Sequence, residues 1–135
     1  MRRLGVLHLA KRSISELSGG ELQRVTIARA LCQEARILLL DEPVSSLDIR
    51  HQIDTLRLIR TLVRENGVTC ICVLHDINLA AHFCDRLCVL SEGRIAALGH
   101  PAAVVTPQLL FAVYGIRANV VLDADDRPRI EPRYD

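Results

Sequence analysis

Two short stretches contain residue types suited to phosphate chemistry, and the first is LSGGELQRV at residues 17–25. Ser18 is a plausible helix N-cap, because Glu21 three positions later completes a capping box. The N-terminus of such a helix exposes N–H groups and a partial positive charge, and Gly19 and Gly20 let a phosphate approach the backbone. A capped turn without a ligand explains SGG alone equally well. The complete nine-residue stretch is more specific.

The second stretch, LLDEP at residues 39–43, places two carboxylates side by side after an apolar run. Asp41 could hold Mg²⁺, directly or through its water shell, because this cation prefers oxygen ligands. Glu42 could orient and deprotonate the water that attacks a terminal phosphate. An acidic strand end that only faces solvent is the alternative. The apolar strand before the pair, and the turn from Pro43 into SSLD, favour the functional interpretation.

A histidine follows the next apolar run, TCICVLH at residues 69–75. At the end of a buried strand, the imidazole of His75 could donate a hydrogen bond to a developing phosphate oxyanion. A lone histidine there is more often structural, but its position one helix after Glu42 favours a functional role. The other histidines lack a comparable context, and we assign no role to His8, His51, His82 and His100.

The elements that must position these residues alternate between strands and helices. A helix runs from Ser18 to about residue 32, and the apolar run at 36–41 reads as a strand buried on both faces. Asp48 caps a second helix that ends at Gly67, with an inward face of Ile53, Leu56, Ile59 and Val63. A strand at residues 69–75 follows.

The second half of the chain continues the alternation. Asp76 caps a helix to about Phe83, RLCVL is a strand, and SEGR turns into the strand IAALG. Thr106 and Pro107 open a short helix, and the polar residues 123–135 form at best an edge hairpin. Alternating strands and helices predict an α/β fold with a parallel sheet, in which ligands bind beyond the carboxyl ends of the strands.

Composition narrows the class of protein further. The 135 residues are 50% hydrophobic with a net charge of +1 and no tryptophan, so we expect no nucleic-acid partner. The odd count of five cysteines predicts reduced thiols, which we expect to be buried as small hydrophobes. The N-terminal stretch has no signal-peptide pattern, and no window is long and apolar enough to span a membrane. Docking on a membrane protein remains open.

The motifs taken together resemble a known family. LSGGELQRV, ILLLDEP, SSLD and the histidine of VLHD follow the order of the signature, Walker B, D-loop and H-loop motifs of ABC-type ATPases. The stretches LDIRHQ, LHDINLAAHFCDRL, EGRIAALG and VVTPQLLFAVYGI are similar to ATPase subunits of bacterial importers for iron-siderophore complexes, haem and cobalamin. The resemblance extends from about residue 4 to residue 121.

The resemblance implies a P-loop NTPase fold of the ABC ATPase type that lacks its N-terminal part. We expect a mostly parallel sheet with flanking helices and a C-terminal α/β tail. Residues 1–122 would form a partial ABC ATPase domain, in which 1–34 end the helical subdomain and 35–122 belong to the RecA-like core. Residues 123–135 would form a polar tail.

The resemblance also implies roles for residues that face nucleotide bound by their own chain. ATP would be the substrate and Mg²⁺ the metal, with Asp41 as its ligand. Glu42 and His75 would be the catalytic residues. The function implied is that of an ATP-hydrolysing subunit of an importer for iron-siderophore, haem or cobalamin.

A second set of residues would face another polypeptide. Ser18, Gly19 and Gly20, followed by Gln23, would complete the ATP held by the opposite subunit of a head-to-tail dimer. Asp48 would link the two sites across the interface. A transmembrane permease would be the other partner, which implies a peripheral location on the cytoplasmic face of the inner membrane.

One family motif does not occur in these 135 residues. There is no G-x-x-x-x-G-K-[ST] loop, and the only lysine, Lys11, is not preceded by glycine at the required spacing. Since nothing else would cradle the phosphates, we expect this chain alone to show no ATPase activity. The resemblance also implies that the strand missing with this loop would leave two unpaired edges within the sheet, so we expect marginal stability.

Two other interpretations remain. The chain could be a non-catalytic module that pairs with an intact ABC subunit or permease. DNA-repair and chromosome-associated ABC ATPases share the motifs but contain coiled-coil insertions. Only 22 positions separate Gly20 from Glu42 here, so we rank this interpretation last.

Overall fold

The structure, a computed structural model, describes residues 5–134 and divides the chain into two compact units, Met1–His75 and Asp76–Asp135. The described residues form three two-stranded sheets and five α-helices. None of the helices in the described range is long and apolar enough to cross a membrane. The predicted boundaries at residues 34 and 122 stay predictions.

The first unit is a strand–helix–strand crossover preceded by a helix. Two 3₁₀ turns lead into helix α1 (Gly19–Leu31), and strand β1 (Ile37–Asp41), helix α2 (Ile49–Asn66) and strand β2 (Thr69–Val73) follow. β1 and β2 pair in parallel, with Ile37 opposite Thr69 and Asp41 opposite Val73. The parallel pairing predicted for these strands is confirmed, and it places their carboxyl ends at one edge.

Local side-chain chemistry sets the helix bounds in this unit. Ser18 caps α1 and Asp48 caps α2, as predicted, since each side chain accepts a hydrogen bond from a backbone N–H of the first turn. α2 stops at Gly67, whose φ of 62° lies in the left-handed region that glycine adopts at low cost. Leu56 and Ile59 of α2 are buried as predicted.

The prediction that β1 is buried on both faces is wrong, and so is the prediction that β2 is a buried strand. Leu38 and Leu40 are buried on one face of β1, but Ile37 and Leu39 on the other are 57% and 71% exposed. The exposed face continues across β2, where Ile71 is 56% exposed. Within the described residues nothing covers this side of the pair, whereas parallel strands in complete sheets are covered on both.

The second unit contains two antiparallel hairpins and three helices. Helix α3 (Ile77–Phe83) begins after its cap Asp76, and the remaining elements follow in chain order: β3 (Leu87–Ser91), β4 (Arg94–Gly99), α4 (Pro101–Val104), α5 (Pro107–Tyr114), β5 (Ala118–Leu122) and β6 (Pro128–Pro132). β3 pairs with β4 and β5 with β6. A hairpin was expected at best within residues 123–135, but only β6 lies in that range, and its partner β5 precedes it.

The β5–β6 hairpin holds both ends of α3. Near its start, Asn78 exchanges two hydrogen bonds with the backbone of Ile130, at 2.7 and 3.4 Å. Near its end, the guanidinium of Arg127 donates to the carbonyl of Cys84 at 2.6 Å and to that of Ala81 at 3.3 Å. Because the last carbonyls of a helix have no partner within it, Arg127 acts as a C-terminal cap.

The expectation of buried cysteines is wrong for the five thiols. Cys32 and Cys88 are exposed, and the other three are only partly buried. Cys70 and Cys72 lie on β2 opposite Leu38 and Leu40, on the covered face of the pair, but they are only partly buried. The apolar residues around these cysteines predicted that their side chains would be buried, but the described residues do not pack over them closely enough.

Candidate active site

The loops that follow β1 and β2 bring Glu42 and His75 into contact. The Nε2 atom of His75 lies 2.6 Å from Oε1 of Glu42, so Nε2 donates its proton to the carboxylate. The side chains are 73% and 43% exposed, respectively, and both remain open to solvent. His75 was expected at the end of β2, but that strand ends at Val73. The histidine therefore lies on the loop that follows β2, where strand pairing does not fix its backbone.

The backbone of Glu42 is fixed in an unusual conformation. Its φ is 46°, in the left-handed region that a non-glycine residue rarely adopts. Its N–H donates to the carbonyl of Val73 at 3.2 Å, and its carbonyl accepts from the N–H and the hydroxyl of Ser45. These contacts hold the strained residue in place, and strain of this kind is concentrated at functional sites.

Asp41 is the last residue of β1 and lies on the strand's uncovered side. Alternation along the strand places it on the same face as Ile37 and Leu39, and it is exposed. The described residues contain no group of three or more acidic, histidine or cysteine side chains arranged for a metal ion. Mg²⁺ usually takes only one or two carboxylates and completes its shell with water and phosphate oxygens. One accessible carboxylate therefore fits this metal beside a bound nucleotide.

The side chain of Ser18 is engaged within its own helix turn. Its hydroxyl accepts from the Glu21 N–H at 3.3 Å and donates to Oε2 of Glu21, which also accepts from the Ser18 N–H. These hydrogen bonds, and then the nearby Arg12 and His8, lower the pKa of Glu21 below its ordinary value of 4.5. The capped turn, one of the two interpretations of SGG, is thus present, and phosphate binding there stays a prediction.

Gly19 and Gly20 lie against the start of α2. A Cβ on Gly19 would be 3.6 Å from Leu47, and a Cβ on Gly20 would be 3.2 Å from Cδ2 of His51. As the first residues of α1, both present N–H groups for which the helix supplies no acceptor. Gln23, three positions beyond Gly20, lies on the same helix face and is partly buried.

Asp48 makes a close pair with a residue to which the sequence assigned no role. Its Oδ1 accepts from the N–H of His51 at 2.9 Å, and Nδ1 of the same histidine lies 2.8 and 2.9 Å from the two carboxylate oxygens. These hydrogen bonds lower the pKa of Asp48 below its ordinary value of 3.8. The next residue, Gln52, donates to the carbonyl of Val44 at 3.1 Å. The segment between Glu42 and α2 is therefore anchored by the start of that helix.

The sequence-predicted residues thus form two groups. Asp41, Glu42 and His75 share the carboxyl ends of β1 and β2, while Ser18, Gly19, Gly20 and Gln23 begin α1 beside Asp48. No hydrogen bond or ion pair within residues 5–134 joins one group to the other. Sequence reasoning missed His51, which the N3 position after an Asp cap could have indicated.

Within residues 5–75, adjacent carboxylates and a histidine lie at the carboxyl ends of a parallel strand pair, and a capped glycine turn begins α1. The family model described as ABC transporter matches residues 1–45. Together with the relatives below, this match shows that the chain is similar to part of an ABC-type ATPase.

Three curated relatives illustrate the relationship. The hemin import ATP-binding protein of Bordetella avium is 52% identical over 128 residues, which are 90% of this chain and 49% of that protein. The ferric enterobactin transport ATP-binding protein of Escherichia coli is 47% identical over 91% of this chain and 45% of its own. The cobalamin import ATP-binding protein of Halobacterium salinarum is 46% identical, with 91% and 31% covered. The chain spans about half the length of the first relatives or less.

Solved structures support the fold. A metal-chelate type ABC transporter in an inward-facing conformation superposes with a TM-score of 0.87 at 28% identity, over 98% of this chain and 54% of that one. A dimeric ATP-binding cassette with ADP and phosphate bound, in a post-hydrolysis state, superposes with a TM-score of 0.62 at 34% identity, over 73% and 44%. The fold predicted from the motifs is confirmed by these superpositions.

Proposed function

We propose that this chain contributes one part of an ATP-hydrolysing subunit of an ABC importer. The contact between Glu42 and His75 carries the proposal, because it joins the Walker B and H-loop residues at the place where an α/β sheet binds its ligand. The relatives, which are ATP-binding proteins for import of hemin, ferric enterobactin and cobalamin, support the transport role.

In this proposal Glu42 is the general base and His75 its partner. The Glu42 side chain is 43% exposed, so its Oε2 can accept a proton from a water while His75 donates to Oε1 and fixes the carboxylate's direction. On contact with substrate, the same Nε2–H can turn to a phosphate oxygen on which charge develops. Mg²⁺, held through Asp41, would neutralise phosphate charge.

The second group of residues would act on ATP held by another subunit. The N–H groups of Gly19 and Gly20 suit the oxygens of a terminal phosphate, with Ser18 and Gln23 alongside. Asp48 would face the partner across the dimer interface. A solved relative that is dimeric with ADP and phosphate bound supports a paired arrangement.

The cargo and the location follow from the relatives as part of the same proposal. An iron-siderophore complex, haem or cobalamin would be the transported compound, and a transmembrane permease would hold the subunit at the cytoplasmic face of the inner membrane. Co-expression with a candidate permease, followed by membrane fractionation, tests the location. Recovery of the chain in the soluble fraction regardless of the permease would contradict it.

We expect a polypeptide of these 135 residues alone to hydrolyse no ATP, because its sequence has no Walker A loop to hold the phosphates. Magnesium-dependent turnover by the purified chain, abolished in Glu42→Gln, would show this expectation to be wrong. The positive test is a chimera in which this chain replaces the matching half of the Bordetella avium relative.

The chimera should hydrolyse ATP, and Glu42→Gln should reduce its kcat by at least about 100-fold, the loss typical of a missing general base. Glu34→Gln is the matched control, since Glu34 is an exposed carboxylate on the turn after α1. Equal turnover in the two variants would refute the role of Glu42.

A non-catalytic module is the second candidate function. The group formed by Ser18, Gly20 and Asp48 is complete within this chain and needs no phosphate loop of its own. Such a module should copurify with an intact homologous subunit in the presence of ATP. A chain that is degraded or stays unbound under these conditions would exclude it.

A further inference from the structure

The imidazole of His51 touches both motifs that would face the opposite subunit. Its Nδ1 lies 2.8 Å from one carboxylate oxygen of Asp48 and 2.9 Å from the other. The opposite edge of the ring, at Cδ2, lies 3.2 Å from the place where a Cβ on Gly20 would be. A side chain at position 20 would therefore require the ring to move by a few tenths of an ångström.

We propose that His51 is a positioning residue that fixes the Asp48 carboxylate relative to the Ser18–Gly20 turn. The inference rests on the proposed function, in which Asp48 and Gly20 both address a nucleotide or surface of the partner. Asp48 and Gly20 belong to separate helices. If their separation is already fixed in the free chain, less conformational entropy is lost when the partner binds, and binding is tighter. His51 supplies this link through one hydrogen bond and one packing contact.

The backbone cap and the side-chain contact of His51 have separable functions. The N–H of residue 51 caps α2 through Asp48 whatever its side chain is, so loss of the imidazole leaves the helix cap in place. Gln52, which donates to the carbonyl of Val44, continues to anchor the preceding loop. A change at His51 should therefore affect the direction of the Asp48 carboxylate more than the stability of the helix.

His51→Asn and His51→Leu separate the two roles. Asparagine keeps an N–H donor at nearly the position of Nδ1, whereas leucine has the same size and no donor. Thermal midpoints of both variants should lie within about 3 °C of the wild type, because the backbone cap persists. Binding of this chain to the intact Bordetella avium relative with ATP should weaken about fivefold in His51→Leu and less than twofold in His51→Asn.

Two measurements on the chain alone do not depend on nucleotide chemistry. Both variants remove the ring, so the Hα resonances of Gly20 should shift, whereas those of Gly67, with no atom within 4 Å of its Cβ position, should not. The ring nitrogen shifts of the wild type at pH 8 should report a proton on Nδ1, because that atom donates to Asp48.

Each outcome decides a separate point. Failure of the wild-type chain to bind the intact subunit with ATP contradicts the proposed function and leaves the link to be judged by the resonances. Unshifted Gly20 signals, or a proton on Nε2 instead of Nδ1, overturn the link itself. Equal weakening of binding in the asparagine and leucine variants overturns the positioning role, because the hydrogen bond would then contribute nothing.

Discussion

The left-handed backbone of Glu42 allows its chemical and structural contributions to be separated by two substitutions. Glu42→Gln and Glu42→Asn both remove the carboxylate, so both should lower the turnover of the chimera by at least about 100-fold. Their stabilities should differ. Asparagine is several-fold enriched over most residues at positive φ, which corresponds to about 0.5–1 kcal/mol at the φ of 46° observed here.

The other stability contribution is the contact with His75. Both side chains are substantially exposed, so loss of the 2.6 Å contact should cost about 0.2–1 kcal/mol and no more. Glu42→Gln should therefore be slightly less stable than the wild type, and Glu42→Asn about equal to it. Urea unfolding of the 135-residue chain measures both differences, and Glu34→Gln, at an exposed carboxylate that also has a positive φ, is the control.

Two results would refute this reasoning. A cost above about 2 kcal/mol for Glu42→Gln would mean that Glu42 is mainly a structural residue, contrary to its exposure. An asparagine variant less stable than the glutamine variant would mean that the backbone at this position is not strained as its φ indicates.

Two further predictions concern elements outside this contact. Hydrogen bonds from Ser18 lower the pKa of Glu21, so the capping box should stabilise α1 fully above pH 4.5. This stability should decline as the pH falls further and Glu21 takes up a proton. Glu21→Gln should lose that pH dependence, as measured by acid unfolding followed by circular dichroism. Arg127→Met should cost about 2 kcal/mol in urea unfolding, because the side chain of Arg127 is only 14% exposed and its guanidinium caps α3, whereas Arg129→Met, at an exposed pair, should cost under about 0.5 kcal/mol. Equal costs at the two arginines would contradict the cap, and an unchanged acid transition in Glu21→Gln would contradict the box.

Helix starts and stops were predictable from the sequence because their chemistry is local. Ser18, Asp48, Asp76 and Thr106 each cap the helix expected of them, and Gly67 ends α2. A short polar side chain needs only the next three residues to make its hydrogen bond. No distant part of the chain has to be known.

Burial could not be predicted in the same way. The apolar residues of β1 and β2 are compatible with burial on both faces. Burial also needs a layer of other elements packed on each face, and the described residues supply such a layer on one face only. For α2, the exact inward set differs at its edges: Thr55 and Leu62 are buried, while Ile53 is only partly so. Periodicity gives the direction of a helix face, and packing decides its width.

The candidate site was predictable in its residues and not in its contacts. The motifs indicated Glu42 and His75, but their contact depends on a loop conformation beyond the end of β2. Asp48 pairs with His51 because His51 lies three residues after the N-cap of α2. The sequence did not indicate this contact, because His51 belongs to no motif to which a role was assigned. Both contacts are products of backbone geometry at the ends of elements.

The grip of the last hairpin on α3 has a consequence for the order of synthesis. The bonds from Asn78 to Ile130 and from Arg127 to Cys84 join positions 52 and 43 residues apart. Because a ribosome makes the helix long before it makes the hairpin, a nascent α3 has both ends unsecured until residues 127–130 emerge. A polypeptide that ends before residue 127 would therefore form α3 without either of these contacts.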